Sequence, residues 1–143
     1  MPTGPAESSI RVVLDTNVLV AAAFRPRGAA ANVVARARAG ALTVIWNDAT
    51  RRESERIVRR IPPIATSNVL GVFRLGDAFT GLLDEESFAF IVDRDDRKFA
   101  ALACAAQATL LTQDAHLLSV RARIPCPVMS PNAFVALVGE ERG

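Results

Sequence analysis

The chain has 143 residues, half of them hydrophobic and 22% charged, with a formal net charge of +2. That is one globular domain's worth of chain with no room for a second core, and it excludes a disordered polymer. No apolar run approaches the ~18–20 residues that cross a bilayer. The two cysteines, Cys104 and Cys126, make neither a disulfide framework nor a four-ligand zinc site, and a lone histidine, His116, excludes a His-rich metal centre.

Residues 1–9 lack the basic and apolar regions of a secretory signal and read as a flexible leader. The domain is expected over 10–138, with 139–143 as a tail, and the cytoplasm follows by elimination. The run 10–14 is β-rich and reads as a buried strand, followed by helices over 18–24 and 29–39. Gly40 stands where a helix end wants a positive φ. A second strand is expected over 43–46. Asn47 and Asp48 are N-cap candidates for a helix reaching Arg60, which Pro62 and Pro63 stop. A further helix over 67–74, an irregular stretch over 75–86 and a short strand over 88–92 follow. Then come a helix over 95–107, a strand over 109–112, a short helix over 115–120, a strand over 127–129 and a last helix over 131–138 with Pro at its first turn. Strands alternating with helices predict an α/β layer fold with a mainly parallel sheet.

Charge is unevenly placed. Residues 1–60 hold ten Arg against five acids, whereas residues 61–120 hold four bases against eight acids. Sixteen of the seventeen bases are Arg, and Lys98 is the only lysine. Arg grips phosphate with a planar fork, although GC-rich coding also favours Arg and Ala. Arg25 and Arg27 in the first loop, and Arg51, Arg52, Arg56, Arg59 and Arg60 on the helix after it, are candidate phosphate contacts or simply solvated faces. No exposed aromatic platform for base stacking is expected.

Four acids stand at informative places. Asp15 directly follows the first strand, and Asp114 lies just past the 109–112 strand. In open parallel sheets, sites form beyond the carboxyl ends of strands; the alternative is that each acid caps the following helix. Ala49, Glu53, Ile57 and Ile61 share one helical stripe, which turns Glu53 inward, while Glu55 sits four residues from Arg51 and Arg59 on a solvated face. An inward carboxylate without a partner costs several kcal/mol or stays protonated; a bound cation removes that cost, as does a wet helix edge. Asp96 extends the apolar face of Phe99, Ala100, Ala103 and Ala106. Asp93 is either the N-cap of that helix, with Asp96 as its reciprocal acid, or a site carboxylate. Acids gathered at one sheet edge repel one another, and neither Lys98 nor His116 is expected to neutralise them. An oxygen-only ligand set suits Mg²⁺ or Mn²⁺, and two such ions would clamp a phosphate and activate water.

Val12-Val-Leu-Asp15-Thr-Asn-Val-Leu-Val20, Glu53 on a mid-domain helix, Asp93-Arg-Asp-Asp96-Arg-Lys-Phe-Ala-Ala-Leu-Ala103 and Leu110-Leu-Thr-Gln-Asp114-Ala-His-Leu-Leu118 together resemble the PIN domain. The likeness covers about residues 10–135 and is strongest to the small single-domain bacterial members described as toxins of toxin–antitoxin pairs. It implies a three-layer α/β/α sandwich around a parallel sheet and metal-dependent cleavage of RNA. By matching motifs it implies Asp15, Glu53, Asp96 and Asp114 as the catalytic acids. Asp15, Asp96, Asp114 and Asp93 would be metal ligands, with Asn17 and Thr112 in support. RNA is the implied substrate and a small antitoxin the implied partner. Trp46 and the final helix are candidates for a homodimer face. One departure is visible: Thr50 and Arg51 stand where apolar residues are expected, and the 75–86 stretch matches nothing in the pattern.

Other functions fit less well. A phospho-acceptor receiver needs a lysine near the last strand, and Lys98 is elsewhere. Asp15-Thr-Asn lacks the second aspartate of an Asp-x-Asp-x-Thr phosphatase, and no Gly-rich loop follows the first strand for a dinucleotide. A non-catalytic nucleic-acid-binding or protein-interaction module remains the alternative to a nuclease.

Overall fold

A computed structural model of the chain describes residues 10–64 and 68–142; the leader at 1–9 and the start of the 67–74 helix lie outside the described residues. Ile10–Leu14 forms β1, and Thr16–Phe24 and Ala29–Arg38 form α1 and α2. Leu42–Val44 is β2, Asp48–Arg59 α3, Arg94–Ala105 α4 and Thr109–Leu111 β3. Ala115–Ser119 is α5, Val128–Met129 β4 and Pro131–Arg142 α6. The strands lie in the order β2-β1-β3-β4 and every pairing is parallel.

Side chains of a strand alternate between faces, and β1 uses both. Val12 and Leu14 pack into a core with α1, α2 and α6, through Val18, Leu19, Val33 and Phe134. Val13 faces the other way, into a core with Phe99, Leu102 and Ala103 of α4 and Leu117 of α5. The result is the expected three-layer α/β/α arrangement. Small residues do much of this packing. The Ala100, Ala101 and Ala103 run is fully buried, which lets α4 lie close on the sheet and compensates for the scarcity of aromatics. No helix among the described residues is long and apolar enough to cross a membrane.

From β1 the chain steps to β2 on one side, then crosses back to β3 on the other. The strand order therefore reverses between β1 and β3. Beyond the carboxyl ends of those two strands lies the crevice where open α/β sheets bind ligands.

Helix ends follow local chemistry. Gly40 has φ +87° and turns the chain from α2 toward β2. Gln107 takes the same left-handed region at φ 55°. It ends α4 two residues before the expected end, with Gln107 N–H donating to Cys104 O and Ala108 N–H to Ala103 O. At the start of α3, Asn47 Oδ1 accepts from Thr50 N–H (2.9 Å) and Thr50 Oγ1 accepts from Asn47 N–H (3.1 Å). Asn47→Ala removes half of this reciprocal cap. It is expected to cost about 1 kcal/mol, read as a lowered urea midpoint with an unchanged slope.

Four expectations need correction. The 88–92 run is no strand. Ile91 and Ala89 carbonyls accept from the Arg97 guanidinium (2.7 and 3.1 Å), while Ile91 N–H donates to Phe88 O, so the backbone there is satisfied without a ladder. The helix expected over 67–74 shrinks, within the described residues, to a 3₁₀ turn over Val69–Val72 that contains Gly71. Trp46 leaves the strand expected over 43–46 and forms a single bridge to Ala78, its indole N–H donating to Arg74 O at 2.7 Å. The last helix continues past Val138 to Arg142.

Candidate active site

Asp15 occupies the N-cap position of α1, and its carboxylate lies close enough to the Asn17 and Thr16 amides for them to lower its pKa, without a well-formed capping hydrogen bond. Its Oδ2 instead accepts a hydrogen bond from Thr112 Oγ1 at 2.7 Å, and that hydroxyl accepts from Asp114 N–H at 3.0 Å. Thr112 thus staples the ends of β1 and β3 together, aided by Asp15 N–H donating to Leu111 O at 3.0 Å. Asp114 does cap α5, its Oδ1 accepting from His116 N–H (2.7 Å) and Leu117 N–H (3.4 Å). The capping reading therefore holds for Asp114, while the Asp15 carboxylate is turned to Thr112.

Asp93 is the N-cap of α4, with Oδ1 accepting from Asp95 N–H at 2.9 Å. Asp96 sits in the first turn of α4 beside the Asp114 carboxylate and does not close a capping box with Asp93. Asp15 is 4% exposed and Asp96 8%. Burial raises the Asp15 pKa above its usual value; the Thr112 hydroxyl opposes that and the Asp114 charge adds to it. For Asp96, burial together with the charges of Asp15, Asp114 and Asp93 pushes the pKa up to about 8. Four aspartates from three separate stretches of chain therefore interact electrostatically beyond the β1 and β3 ends.

Glu53 is buried as expected, but it has a partner. Lys98 Nζ donates to Glu53 Oε1 at 2.5 Å and lies 3.6 Å from Asp95 Oδ1. Burial lowers the Lys98 pKa, and Glu53 with Asp95 more than offsets this, leaving it above its usual value. The reading of Glu53 as an inward acid without a partner is thus corrected, and Lys98 is a residue that sequence reasoning missed. Forty-five positions separate the pair; the only available signal was that the sole lysine falls one helical turn from an apolar face. The buried centre of α3 is also shifted. Thr50, Ser54 and Val58 face inward while Ala49 is exposed. Ser54 Oγ and Thr16 Oγ1 share a buried hydrogen bond of 2.8 Å, which fixes α3 beside the residue that follows Asp15. Thr50, at odds with an apolar pattern, is explained by its capping role.

A cleft of about 220 Å³ lies against the aspartates, lined by Asp93, Asp96, Asp114 and His116 on one side and Phe90, Val92 and Val120 on the other. A second, more open groove begins at Asn17 and Gln113, which flank Asp15 and Asp114, and runs to Phe24 and Arg25. Phe24 is 52% exposed, which corrects the expectation that no aromatic platform would be exposed. Of the candidate phosphate contacts, Arg25, Arg27, Arg52, Arg56, Arg59 and Arg60 are exposed. Arg51 is engaged, its guanidinium 5.1 Å from the Trp46 ring centroid and its Nε 3.1 Å from Glu55 Oε2.

The donor set is all oxygen, and no cation among the described residues is bonded to Asp15, Asp96 or Asp114; that chemistry fits a hard divalent ion. Among the described residues no three His, Cys, Asp or Glu side chains already surround one metal-sized point, so gathering them on an ion requires side-chain rotation.

A family model described as PIN domain matches residues 11–116. Among solved structures, the chain is similar to PAE2754 from Pyrobaculum aerophilum, with a TM-score of 0.58 and 18% identity over 92% of this chain and 98% of that one. It is also similar to FitAB bound to an IR36 DNA fragment, with a TM-score of 0.54 and 18% identity over 84% of this chain and 94% of that one. No curated protein matches the chain.

Proposed function

The chain belongs to the PIN domain family, and from that premise we propose that it is a divalent-metal-dependent endoribonuclease hydrolysing RNA phosphodiester bonds. The observation that carries the reading is the Asp15, Asp96 and Asp114 group at the strand-order reversal, with Asp96 raised to about 8 by burial and its acidic neighbours. A site that holds so much like charge in so little water is built for a cation.

Asp15, Asp96 and Asp114 would hold Mg²⁺ or Mn²⁺, with Asp93 at the rim and Glu53 as the further acid of the set. The ion supplies positive charge against the phosphate and lowers the pKa of water at the site. The protein's own work is orientation. Thr112 anchors Asp15 Oδ2, and the α5 amides anchor Asp114 Oδ1, so each carboxylate has one oxygen tied by local structure. Lys98 balances Glu53 while the acids stand without an ion. Asn17, in the first turn of α1 two residues after Asp15, is the supporting polar group of the set. Arg25, Arg27, Arg51 and Arg52 supply positive surface near which an RNA backbone is held. The protein contributes no nucleophile, and water attacks.

The likeness to single-domain bacterial members favours the toxin of a toxin–antitoxin pair, acting in the cytoplasm, bound by a small antitoxin and paired as a homodimer. The similarity to a DNA-bound assembly is compatible with such a complex.

Incubation of the purified chain with end-labelled RNA tests the activity. Cleavage is expected with Mn²⁺ or Mg²⁺ and not with EDTA. Cleavage that ignores EDTA overturns the metal reading, and RNA retained uncut in Mn²⁺ favours a non-catalytic binding module.

A further inference from the structure

Two hollows flank the aspartates, and they differ in charge. The 220 Å³ cleft carries Asp93, Asp96 and Asp114 in its wall. The other, a groove of about 540 Å³, is lined by Asn17, Val20, Ala21, Phe24, Arg25 and Gln113, with no carboxylate among them. A phosphodiester chain leaving the acidic group meets repulsion on the first side and a guanidinium on the second.

The groove borders the site through residues next to its acids in the chain. Asn17 lies two residues after Asp15, and Gln113 lies between Thr112 and Asp114. Asn17, Val20, Ala21 and Phe24 fall on one face of α1, since positions three and four apart line up. At 1.5 Å per residue this face extends ~10 Å from the aspartates, the reach of the nucleotides next to the reacting phosphate. The face starts with amides, which read base edges and sugar hydroxyls. It continues over small side chains that leave room, and ends on a half-exposed aromatic ring beside an arginine. An aromatic face next to a guanidinium is how unpaired bases and their phosphates are held. A base inside a duplex has no face to offer.

We propose that the Asn17–Phe24 face of α1, with Gln113 and Arg25, is the track for a single-stranded RNA flank, on which Phe24 stacks an unpaired base and Arg25 holds the adjoining phosphate. The proposal deepens the ribonuclease reading and rests on it for the identity of the polymer. Phe24 acts here as a substrate-binding residue that selects single strands over duplexes.

The test is fluorescence anisotropy of a short, labelled single-stranded RNA, and of the same strand in a duplex, in Ca²⁺ with strand integrity checked on a gel. Phe24→Ala is expected to weaken single-strand binding roughly 5- to 150-fold. Phe24→Leu is expected to weaken it similarly, because area without a π-face does not stack, and Phe24→Trp to restore it. Duplex binding is expected to be unchanged in all three. Thermal melting shows whether each variant folds, and Phe24 is exposed enough that it should. Single-strand binding by Phe24→Ala or Phe24→Leu equal to wild type overturns the proposal. So does a Phe24→Ala chain that changes oligomeric state while binding RNA normally, which would make this face a protein contact. Cleavage in Mn²⁺ is scored separately. Phe24-dependent binding without cleavage sinks the nuclease and keeps the track; cleavage with Phe24-independent binding does the reverse.

Discussion

Asp15→Asn is expected to reduce Mn²⁺-dependent RNA cleavage on the order of 10³-fold or more, the scale seen when one preorganised electrostatic group is removed from a catalytic centre. The substitution is nearly isosteric, and an amide oxygen still accepts from the Thr112 hydroxyl that now sits 2.7 Å from Oδ2. The staple between β1 and β3 therefore survives, and the melting temperature should not fall. What disappears is a buried negative charge that local hydrogen bonds alone do not require. A folded variant with undiminished cleavage of labelled RNA would place the chemistry elsewhere.

The second large effect is on stability and has a worked sign. In the folded chain Asp96 binds its proton up to about 8, against 3.8 for a free aspartate. Between those values the folded state holds a proton that the unfolded state has lost. Stability is thus fully present below about pH 4 and declines as pH rises toward 8. In EDTA the melting temperature is expected to fall between pH 5 and pH 8 by on the order of 10 °C. Asp96→Asn removes the titrating group and should flatten this decline, melting above the wild type at pH 8. Mn²⁺ at pH 8 should raise the wild-type midpoint and leave the Asp96→Asn midpoint nearly still. Scanning calorimetry over that pH series decides the matter. A wild-type midpoint that climbs from pH 5 to 8 in EDTA contradicts the buried acid group.

The strand ends were the readable part of this protein in sequence. Asp15 and Asp114 each follow a short β-branched or leucine-rich run, and position after a strand is a local property that one chain displays. Asp96 was readable because a charged residue on an otherwise apolar helical stripe breaks a period. Glu53 was half readable. Its inward direction is legible although the buried face is centred on Thr50, Ser54 and Val58 rather than on the expected stripe, but its partner Lys98 is brought in by the packing of α3 against α4, which no local pattern encodes. The same limit explains the 88–92 run. Its unbroken apolar run imitates a buried strand until Arg97, projecting from the next helix, takes its carbonyls. Phe24 is legible in sequence only as the end of the 18–24 helix, and the placement of the neighbouring layers leaves its ring in water.

The Thr112–Asp15 hydrogen bond spans 97 positions, and the acidic group needs β3 seated beside β1 before it exists at all. A nascent polypeptide that has left the ribosome only as far as α4 carries Asp15, Glu53 and Asp96 without the strand that gathers them. Such long-range pairing forms late, because loop closure precedes the reward of contact. On the nuclease reading, the growing chain is harmless to the messenger being translated and to the ribosomal RNA around it until β3 has emerged and docked beside β1. Any antitoxin would then have an assembled site to cover only after that docking.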